Sequence, residues 1–198
     1  MYKSVDGGAS WKNMGLKSSE HIGNILIHPE NSDIVYVSAY GPLWNKGGDR
    51  GIYKTIDGGK SWNKILFIDE HTGFNEIHMD PRNPDVLYAT SHQRRRHVYT
   101  YVGGGPGSGI HKSVDGGNTW RKINKGLPGV EIGRIGMDIS DANPEVIYAI
   151  VEASERKGGF YKSTNRGESW QKQSSKVTSG NYYQEIFADP VDVDVVYV

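Results

Sequence analysis

The chain contains no cysteine. It therefore has neither disulfide bonds nor thiolate zinc sites, which fits a reducing compartment and a bacterial exported protein equally well. No stretch approaches the roughly 18 consecutive apolar residues that a membrane-spanning helix needs. No segment shows the apolar periodicity of a surface helix. These absences predict a globular chain without membrane spans, built from elements other than helices.

An excess of charge of either sign is also missing. Lys and Arg total 23, Asp and Glu total 23, and the formal net charge is zero. Such a chain has no overall field that attracts nucleic acid or an anionic membrane, so we expect no nucleic-acid partner. Glycine (26 residues) and tyrosine (12 residues) are abundant instead. This composition is typical of many short strands joined by turns.

One eight-residue motif, which we call the box, occurs four times in the 198 residues. Its frame is Ser or Thr, any residue, Asp or Asn, any residue, Gly, any residue, Ser or Thr, and Trp. Four copies indicate a repeat protein. The copies are Ser4 to Trp11 (SVDGGASW), Thr55 to Trp62 (TIDGGKSW), Ser113 to Trp120 (SVDGGNTW) and Ser163 to Trp170 (STNRGESW).

Every residue type in the box has a use in a tight turn between two strands. The Asp or Asn accepts hydrogen bonds from backbone N–H groups of its own turn. The Gly supplies a positive φ, and the Trp anchors the next strand in the core. We therefore assign the box a structural role. The residues of this structural assignment are Asp6, Gly8, Trp11, Asp57, Gly59, Trp62, Asp115, Gly117, Trp120, Asn165, Gly167 and Trp170.

The spacing around the boxes separates constant from variable segments. An aromatic residue or His stands two positions before each box, nine positions from the box Trp, as in Tyr53 and Trp62. A Tyr in an apolar run follows each box Trp after 25 to 28 positions. The connection between that Tyr and the aromatic residue or His before the next box varies much more, from 13 to 23 positions. We expect function in this variable loop, because loops tolerate change.

Each repeat fits four short strands, which in one unit are residues 22–28, 34–40, 51–55 and 61–66. Four-stranded units that recur every 40 to 50 residues indicate the blades of a β-propeller, and a solenoid of β-hairpins is the alternative. The fold class is therefore all-β, a partial β-propeller of four-stranded antiparallel blades with the box between strands three and four. The predicted boundaries are a half blade at 1–14, blades at 22–66, 74–123 and 132–173, and a half blade at 183–198.

The two half blades leave two arrangements open. They can pair to close a ring of four blades, or the chain can be an open arc from a longer propeller. A ring of six to eight blades needs roughly 300 to 400 residues at this repeat length. We favour the open arc, with the remaining blades of the parent protein as its partners.

The boxes resemble the Asp-box, or bacterial neuraminidase repeat, of sialidases, xyloglucanase-type hydrolases and sortilin receptors. The segments GIYKTIDGGKSW, MDPRNPDVLYA, SHQRRRHVYTYVGGGPGSGIHKSVDGGNTW, GRIGMDIS and NPEVIYAIVE are similar to exported bacterial proteins with sortilin-like propellers that are often labelled glycosyl hydrolases. The resemblance covers nearly the whole chain. It implies a propeller that is secreted, periplasmic or on the cell surface. The Arg-Ile-Pro motif of sialidases is missing.

The rim opposite the boxes collects the variable loops and is the predicted binding face. Trp44 is the only Trp outside a box, and it either stacks on a sugar or peptide or folds over its own blade. The run of three arginines that follows His92 either binds a carboxylate or sulfate or forms salt bridges to acids such as Asp69 and Glu70. The candidate ligand-binding residues are Trp44, Arg50, Arg94, Arg95, Arg96, Tyr99 and Tyr101.

Other chemistry is less well supported by the sequence. The glycine-rich run 103–109 lacks the Lys-Ser/Thr ending of a phosphate loop. His92 and His97 have no carboxylate at a ligand spacing, so we predict no metal and no cofactor. A glycoside hydrolase needs two facing carboxylates, which the sequence does not pair. The candidates on the loop rim are Asp49, Asp69, Glu70, Glu76, Glu131 and Glu155.

Three functions remain on this basis. The first is a recognition module of a larger exported protein that binds a glycan or peptide on the loop-rich face. The alternative is a glycoside hydrolase, xyloglucanase- or sialidase-like, that uses paired carboxylates on the same face. The third is a scaffold that holds neighbouring domains together.

Overall fold

The computed structural model describes residues 1–178 and 184–198. The first elements are a strand pair, which we call the N-terminal pair, and a short 3₁₀ turn at Lys17–Ser19. The strands of the N-terminal pair are β1 (Tyr2–Lys3) and β2 (Lys12–Asn13), joined by the first box. In the described residues no helix is long and apolar enough to cross a membrane.

The first blade is a sheet of four antiparallel strands in chain order. Its strands are β3 (Ile22–Ile27), β4 (Val35–Ala39), β5 (Gly51–Thr55) and β6 (Asn63–Leu66). The strand β4 is buried along its whole length because it lies inside the sheet, and its β-branched residues suit that place. Side chains of β3 alternate between half-buried and exposed, as expected for a strand with one covered face. The four strands predicted for this unit are confirmed.

The second blade has the same strand order, interrupted by an inserted hairpin. Its strands are β7 (Thr72–Asp80), β8 (Asn83–Gln93), β11 (Gly109–Ser113) and β12 (Arg121–Lys122), and the hairpin strands are β9 (Arg95–Arg96) and β10 (Tyr101–Val102). The hairpin lies within the variable loop between the second and third strands of the blade. The sequence does not indicate this hairpin, because each of its strands has only two residues.

The third blade is followed by a second strand pair, the C-terminal pair. The third blade consists of β13 (Ile132–Ile139), β14 (Ile147–Ala153), β15 (Gly159–Ser163) and β16 (Gln171–Ser174), with a 3₁₀ turn (Ser154–Arg156) between β14 and β15. The strands of the C-terminal pair are β17 (Phe187–Ala188) and β18 (Val196–Tyr197). The antiparallel four-stranded sheets confirm the predicted all-β partial propeller. The blade boundaries remain a prediction, and Tyr182 and Tyr183, expected in the last inner strand, lie outside the described residues.

The hydrophobic core lies between blades. One buried cluster joins Tyr36 and Ile52 of the first blade to Phe74 and Ile77 of the second. A larger cluster joins the second blade to the third and includes Trp170. Each blade therefore covers the apolar face of its neighbour, and the burial of these faces stabilises the stack.

Each box closes its turn with the same hydrogen bonds. In the third box, Ser113 Oγ accepts a bond from the backbone N–H of Gly117 at 2.9 Å and donates to Asp115 Oδ1 at 2.8 Å. Asp115 accepts the backbone N–H of Thr119 at 2.8 Å and its hydroxyl at 2.6 Å. Gly117 has a φ of 90°, which a residue with a side chain rarely adopts. One carboxylate thus holds both sides of the turn.

The fourth box keeps this arrangement with different residues. Asn165 accepts the N–H of Ser169 at 3.0 Å and donates to its hydroxyl at 2.9 Å. Arg166 adopts a φ of 58° in place of glycine. The box tryptophans differ more: Trp170 is buried and donates to Ile123 O of the preceding blade, whereas Trp11 is 64% exposed. Trp11 does not anchor a core as predicted, because no blade precedes it in the described residues.

A repeated contact joins the first and second blades each to the box of the next blade. Tyr36 and Lys54 are cross-strand partners in the first blade. Their OH and Nζ groups both donate to the backbone oxygen of Gly116, at 3.2 and 2.9 Å. In the second blade, Tyr88 and Lys112 donate in the same way to Arg166 O at 3.3 and 2.8 Å. We call this set the inter-blade contact.

The inter-blade contact gives the first testable prediction. Tyr36→Phe removes one of the two donors to Gly116 O, while Lys54 still satisfies that oxygen. We expect a loss of about 1 kcal/mol in the free energy of unfolding. Chemical denaturation measures it. Tyr99→Phe is the matched control, since Tyr99 is 84% exposed and its change should leave stability unaltered. Equal stability of the two variants would contradict the role given to this contact.

The box carboxylates give a second prediction, on pH. Hydrogen bonds from the Thr119 hydroxyl and N–H, and from Ser113, lower the pKa of Asp115 to about 2. Because the folded pKa is lowered, its stabilising effect is complete above the unfolded value of about 3.9 and is lost as the pH falls towards about 2. Asp115→Asn should fold at neutral pH, as the fourth box does, and should lose less stability than wild type across this window.

Urea denaturation at several pH values tests this prediction. Asp141→Asn, at an exposed residue of the turn between β13 and β14, is the control for simple loss of one negative charge. Asp115→Ala should be less stable than both at pH 7, because Thr119 loses its acceptor. An Asp115→Asn variant with the full acid sensitivity of wild type would show that this carboxylate is not responsible.

Candidate functional site

The loop-rich rim opposite the boxes brings most of the predicted binding residues together. Three segments form its main part, residues 40–50 of the first blade, 94–108 of the second and 154–158 of the third. Leu43 O accepts the backbone N–H of Arg96 at 2.9 Å, which joins the first two loops. Gly47 N–H donates to Glu70 O at 2.8 Å and joins the following connection to them. The site is thus an assembly across blades.

Arg50 has a different role from the one predicted. Its side chain is fully buried and donates to the backbone oxygens of Tyr40 and Asn45, each at 2.8 Å, and to that of Pro42. A ligand on the rim does not reach this guanidinium. Gly41 allows the approach, since a Cβ there would lie 2.3 Å from Arg50 Cγ. Arg50 therefore holds the loop that presents Trp44, and we withdraw it as a ligand contact.

Trp44 remains an accessible aromatic side chain, 53% exposed. The hairpin beside its loop presents a second one, because Tyr99 is 84% exposed and stacks on His97 with 5.4 Å between ring centroids. The guanidinium of Arg96 lies 5.0 Å from the ring centroid of Tyr101. The hairpin therefore presents both cationic and aromatic side chains, a combination that suits stacking on a sugar or planar ligand.

Arg94 lies below this surface, on buried aromatic groups. It is only 8% exposed, and its guanidinium carbon is 3.3 Å from the ring centroid of Tyr40. The Tyr40 hydroxyl hydrogen-bonds His92 Nδ1, and His92 Nε2 donates to Gly103 O at 3.0 Å. Burial lowers the pKa of His92 to about 3, which keeps the ring neutral, and raises the pKa of Tyr40. This chain links the Trp44 loop to the glycine-rich run.

The glycine-rich run forms one wall of a cavity of about 270 Å³ that contains two carboxylates. Its lining includes Tyr101, Gly103, Glu131 and Glu152. Glu131 was a sequence candidate, whereas Glu152, at the end of the apolar strand β14, was missed. Burial raises the pKa of Glu152, opposed by a hydrogen bond from the Arg134 N–H and by the Arg134 charge. Glu152 therefore keeps its proton to a higher pH than an exposed glutamate.

A larger cleft of about 780 Å³ adjoins this cavity, and Glu131 and Ser154 line both. Lys122, Asn124 and Glu155 lie elsewhere along its lining. The cleft runs between loops of the second and third blades and is open to solvent. It has the volume for an extended polar ligand.

The other candidate carboxylates have partners within the fold. Asp49 accepts the N–H of Ser18 at 3.0 Å, and Asp69 accepts that of His71 at 2.7 Å. Glu70 pairs with Lys46 at 3.1 Å, not with an arginine of the hairpin. Glu76 accepts the Met137 N–H at 2.8 Å and lies 3.2 Å from His78 Nε2. Glu155 pairs with Lys157 at 2.7 Å.

Among residues 1–178 and 184–198, no group of three or more His, Asp or Glu side chains is placed to hold a metal ion.

Comparison with known protein families shows which family the chain belongs to. The family model for sortilin, also described as neurotensin receptor 3, matches residues 1–105, more than half of the sequence. The chain belongs to the Sortilin-Vps10 family. The predicted resemblance to sortilin-like propellers is confirmed. The matched residues include the Trp44 loop and the arginine hairpin, whereas Glu131 and Glu152 lie beyond them.

Curated relatives of this Sortilin-Vps10 chain include two xyloglucanases. The one from Hypocrea jecorina (strain QM6a) is 26% identical over 195 residues, which cover 92% of this chain and 21% of the relative. The one from Paenibacillus sp. is 26% identical over 191 residues, 89% of this chain and 17% of the relative. The chain thus spans about a fifth of the length of these enzymes.

Solved structures are similar in fold. The GH74 xyloglucanase from Xanthomonas campestris has a TM-score of 0.76 at 14% identity, over 98% of this chain and 31% of that one. An ancestral GH74 enzyme has a TM-score of 0.67 at 20% identity, over 96% and 23%. At these identities the likeness concerns the fold. The Sortilin-Vps10 chain is thus an arc of the kind of propeller seen in these structures.

The buried arginine of the Trp44 loop gives a third prediction. Arg50→Met leaves three backbone oxygens without their charged donor, so we expect a loss of roughly 2–3 kcal/mol in the free energy of unfolding. Hydrogen exchange should also become faster for the amides of residues 41–47. Arg156→Met, at an exposed arginine of the same rim, should change neither quantity. Unchanged exchange in the Trp44 loop after Arg50→Met would disprove the bracing role.

Proposed function

We propose that this chain is part of a glycoside hydrolase that cleaves a polysaccharide on its loop-rich rim. The reaction class is suggested by the xyloglucanases that match along nearly the whole chain. The observation that supports it most directly is the cavity that Glu131 and Glu152 share. This reading replaces the non-catalytic recognition module as the first choice, because a carboxyl group desolvated beside a second carboxylate is the arrangement that hydrolysis requires.

The two glutamates would divide the work according to their surroundings. Glu152 is half-buried and burial raises its pKa, so it would be the acid that donates a proton to the leaving glycosidic oxygen. Glu131 is exposed on the same cavity, so as a carboxylate it would act on the opposite side of the bond, as nucleophile or as base for a water molecule. Proton donation and attack then occur on opposite faces of one sugar.

The adjoining cleft would hold the rest of the substrate. Its volume exceeds that of the carboxylate cavity, and its lining offers hydrogen-bonding groups from Ser154, Asn124 and Lys122. Polysaccharide hydroxyl groups need such donors and acceptors at several points along the chain. An enzyme that degrades a polymer of this kind works outside the cell membrane, so we propose an exported location.

A leaving-group experiment gives the fourth prediction. With a polysaccharide substrate, Glu152→Gln should lower kcat by roughly 10²- to 10⁴-fold, because the proton donor is lost. With a dinitrophenyl glycoside, whose leaving group needs no proton, the loss should be much smaller. Glu131→Gln should lower kcat on both substrates. Xyloglucan is the first polymer to test, on the basis of the relatives.

The pH profile and a control complete this test. Activity of wild type on the polymer should fall as the pH rises through the raised pKa of Glu152, because the acid form disappears. The Glu152→Gln variant should lose this alkaline limb. Glu30→Gln, on an exposed turn of the box rim, should behave as wild type. Full activity of Glu152→Gln, or an equal loss on both substrates, would reject the assignment.

A recognition module without catalysis is the second candidate. It is supported by Trp44 and Tyr99, two exposed aromatic side chains on the same rim. Polymer binding that survives in Glu131→Gln and Glu152→Gln, with no hydrolysis by wild type, would favour this function over the enzyme.

A further inference from the structure

Trp44 is held more firmly than an exposed loop residue usually is. The residue before it, Leu43, accepts the Arg96 N–H at 2.9 Å, and the residue after it, Asn45, accepts from Arg50 Nη2 at 2.8 Å. Both flanking peptides are therefore fixed, while the indole itself is 53% exposed. An aromatic platform that is already ordered pays little entropy when a ligand stacks on it.

Arg95 lies in the hairpin that contacts the loop of Trp44, and its charge acts on the buried Arg50 of that loop. It directly precedes Arg96, whose backbone N–H bonds Leu43 O, so the position of Arg95 in the hairpin borders the Trp44 loop. In residues 1–178 and 184–198, no carboxylate pairs with Arg95, and its buried Nε has no hydrogen-bond acceptor. A half-buried guanidinium in this state gains strongly from a charged acceptor.

The guanidinium groups of Arg94 and Arg95 are close enough to the buried Arg50 to act on its charge. Burial lowers the pKa of Arg50, and the nearby charges of Arg94 and Arg95 lower it further, opposed by those of Asp69 and Glu20. Of the acids in this region, Asp69 accepts a bond from the His71 backbone. Glu70 pairs with Lys46. This region therefore favours an anion over a neutral group.

A sugar unit with an acidic group matches both features. Its C–H face stacks on an indole, and its carboxylate or sulfate offers two oxygens to the planar fork of a guanidinium. A neutral sugar would use the platform and leave Arg95 unpaired. We propose that Trp44 and Arg95 form a subsite for an anionic sugar unit of a polysaccharide, bearing a uronate carboxylate or a sulfate ester. This rests on the proposed function in that the ligand is a polysaccharide.

Paired polymers that differ only in charge test the subsite. The intact protein is titrated with polygalacturonate and its carboxyl-reduced form, and with dextran sulfate and dextran, by affinity electrophoresis and calorimetry. We expect at least one charged polymer to bind about tenfold or more tightly than its neutral form. Preference for polygalacturonate identifies a carboxylate, and preference for dextran sulfate identifies a sulfate ester.

Two variants locate the effect. Arg95→Gln should lose about tenfold or more in affinity for the preferred charged polymer and leave the neutral form unaffected. Trp44→Ala should weaken both forms. Arg121→Gln removes one positive charge from the box rim, where its partner is Glu168, and should leave all four affinities unchanged. Unfolding midpoints of the variants report whether each one is folded.

The results separate this inference from the proposed function. Equal binding of charged and neutral polymers, or an Arg95→Gln variant that behaves as wild type, overturns the subsite and leaves the glutamate pair standing. No binding of any polymer also overturns it. Conversely, absence of hydrolysis in the Glu152 experiment rejects the enzyme, while a charge preference that depends on Arg95 still establishes the anionic subsite.

Discussion

One backbone oxygen in each of the third and fourth boxes is the contact on which the arrangement of the three blades depends. Gly116 O accepts from a tyrosine and a lysine of the preceding blade, and Arg166 O does the same one blade later. Both donors are cross-strand partners inside their sheet, so the contact fixes the height of one blade against the next as well as their separation. The hydrophobic clusters between blades then pack in one register. The loops of the opposite rim take no part in this contact, so they can differ from blade to blade.

The differences among those loops explain why two kinds of chemistry lie side by side. The first and second blades contribute aromatic and cationic groups, joined through the bond between Leu43 and Arg96. The second and third blades contribute the cavity with Glu131 and Glu152. Neither group of residues belongs to one blade. Both proposed sites therefore lie at junctions between repeats, where two different loops meet.

The fold could be predicted from the sequence because the residue types of the box specify the geometry of its turn. Asp115 and Gly117 allow one kind of turn, and four copies determine the strand order. The candidate functional site was harder to predict from the sequence. Arg50 looked like a surface cation, and only its three-dimensional surroundings show that it bonds backbone oxygens. Glu152 was not among the candidate carboxylates, because its position at the end of the apolar strand β14 gives no sign of the cavity that it lines. Burial and the neighbours of a side chain come from contacts distant in sequence, and one chain without its coordinates does not reveal them.

The buried path from Tyr40 through His92 to Gly103 O has a consequence for how a polymer would be read. It connects the loop of the aromatic platform with the wall of the carboxylate cavity through buried, uncharged side chains. Under the two proposals made above, this path would set the interval between a charged sugar on the platform and the bond to be cleaved, so that the repeat of the polymer would matter as well as its composition.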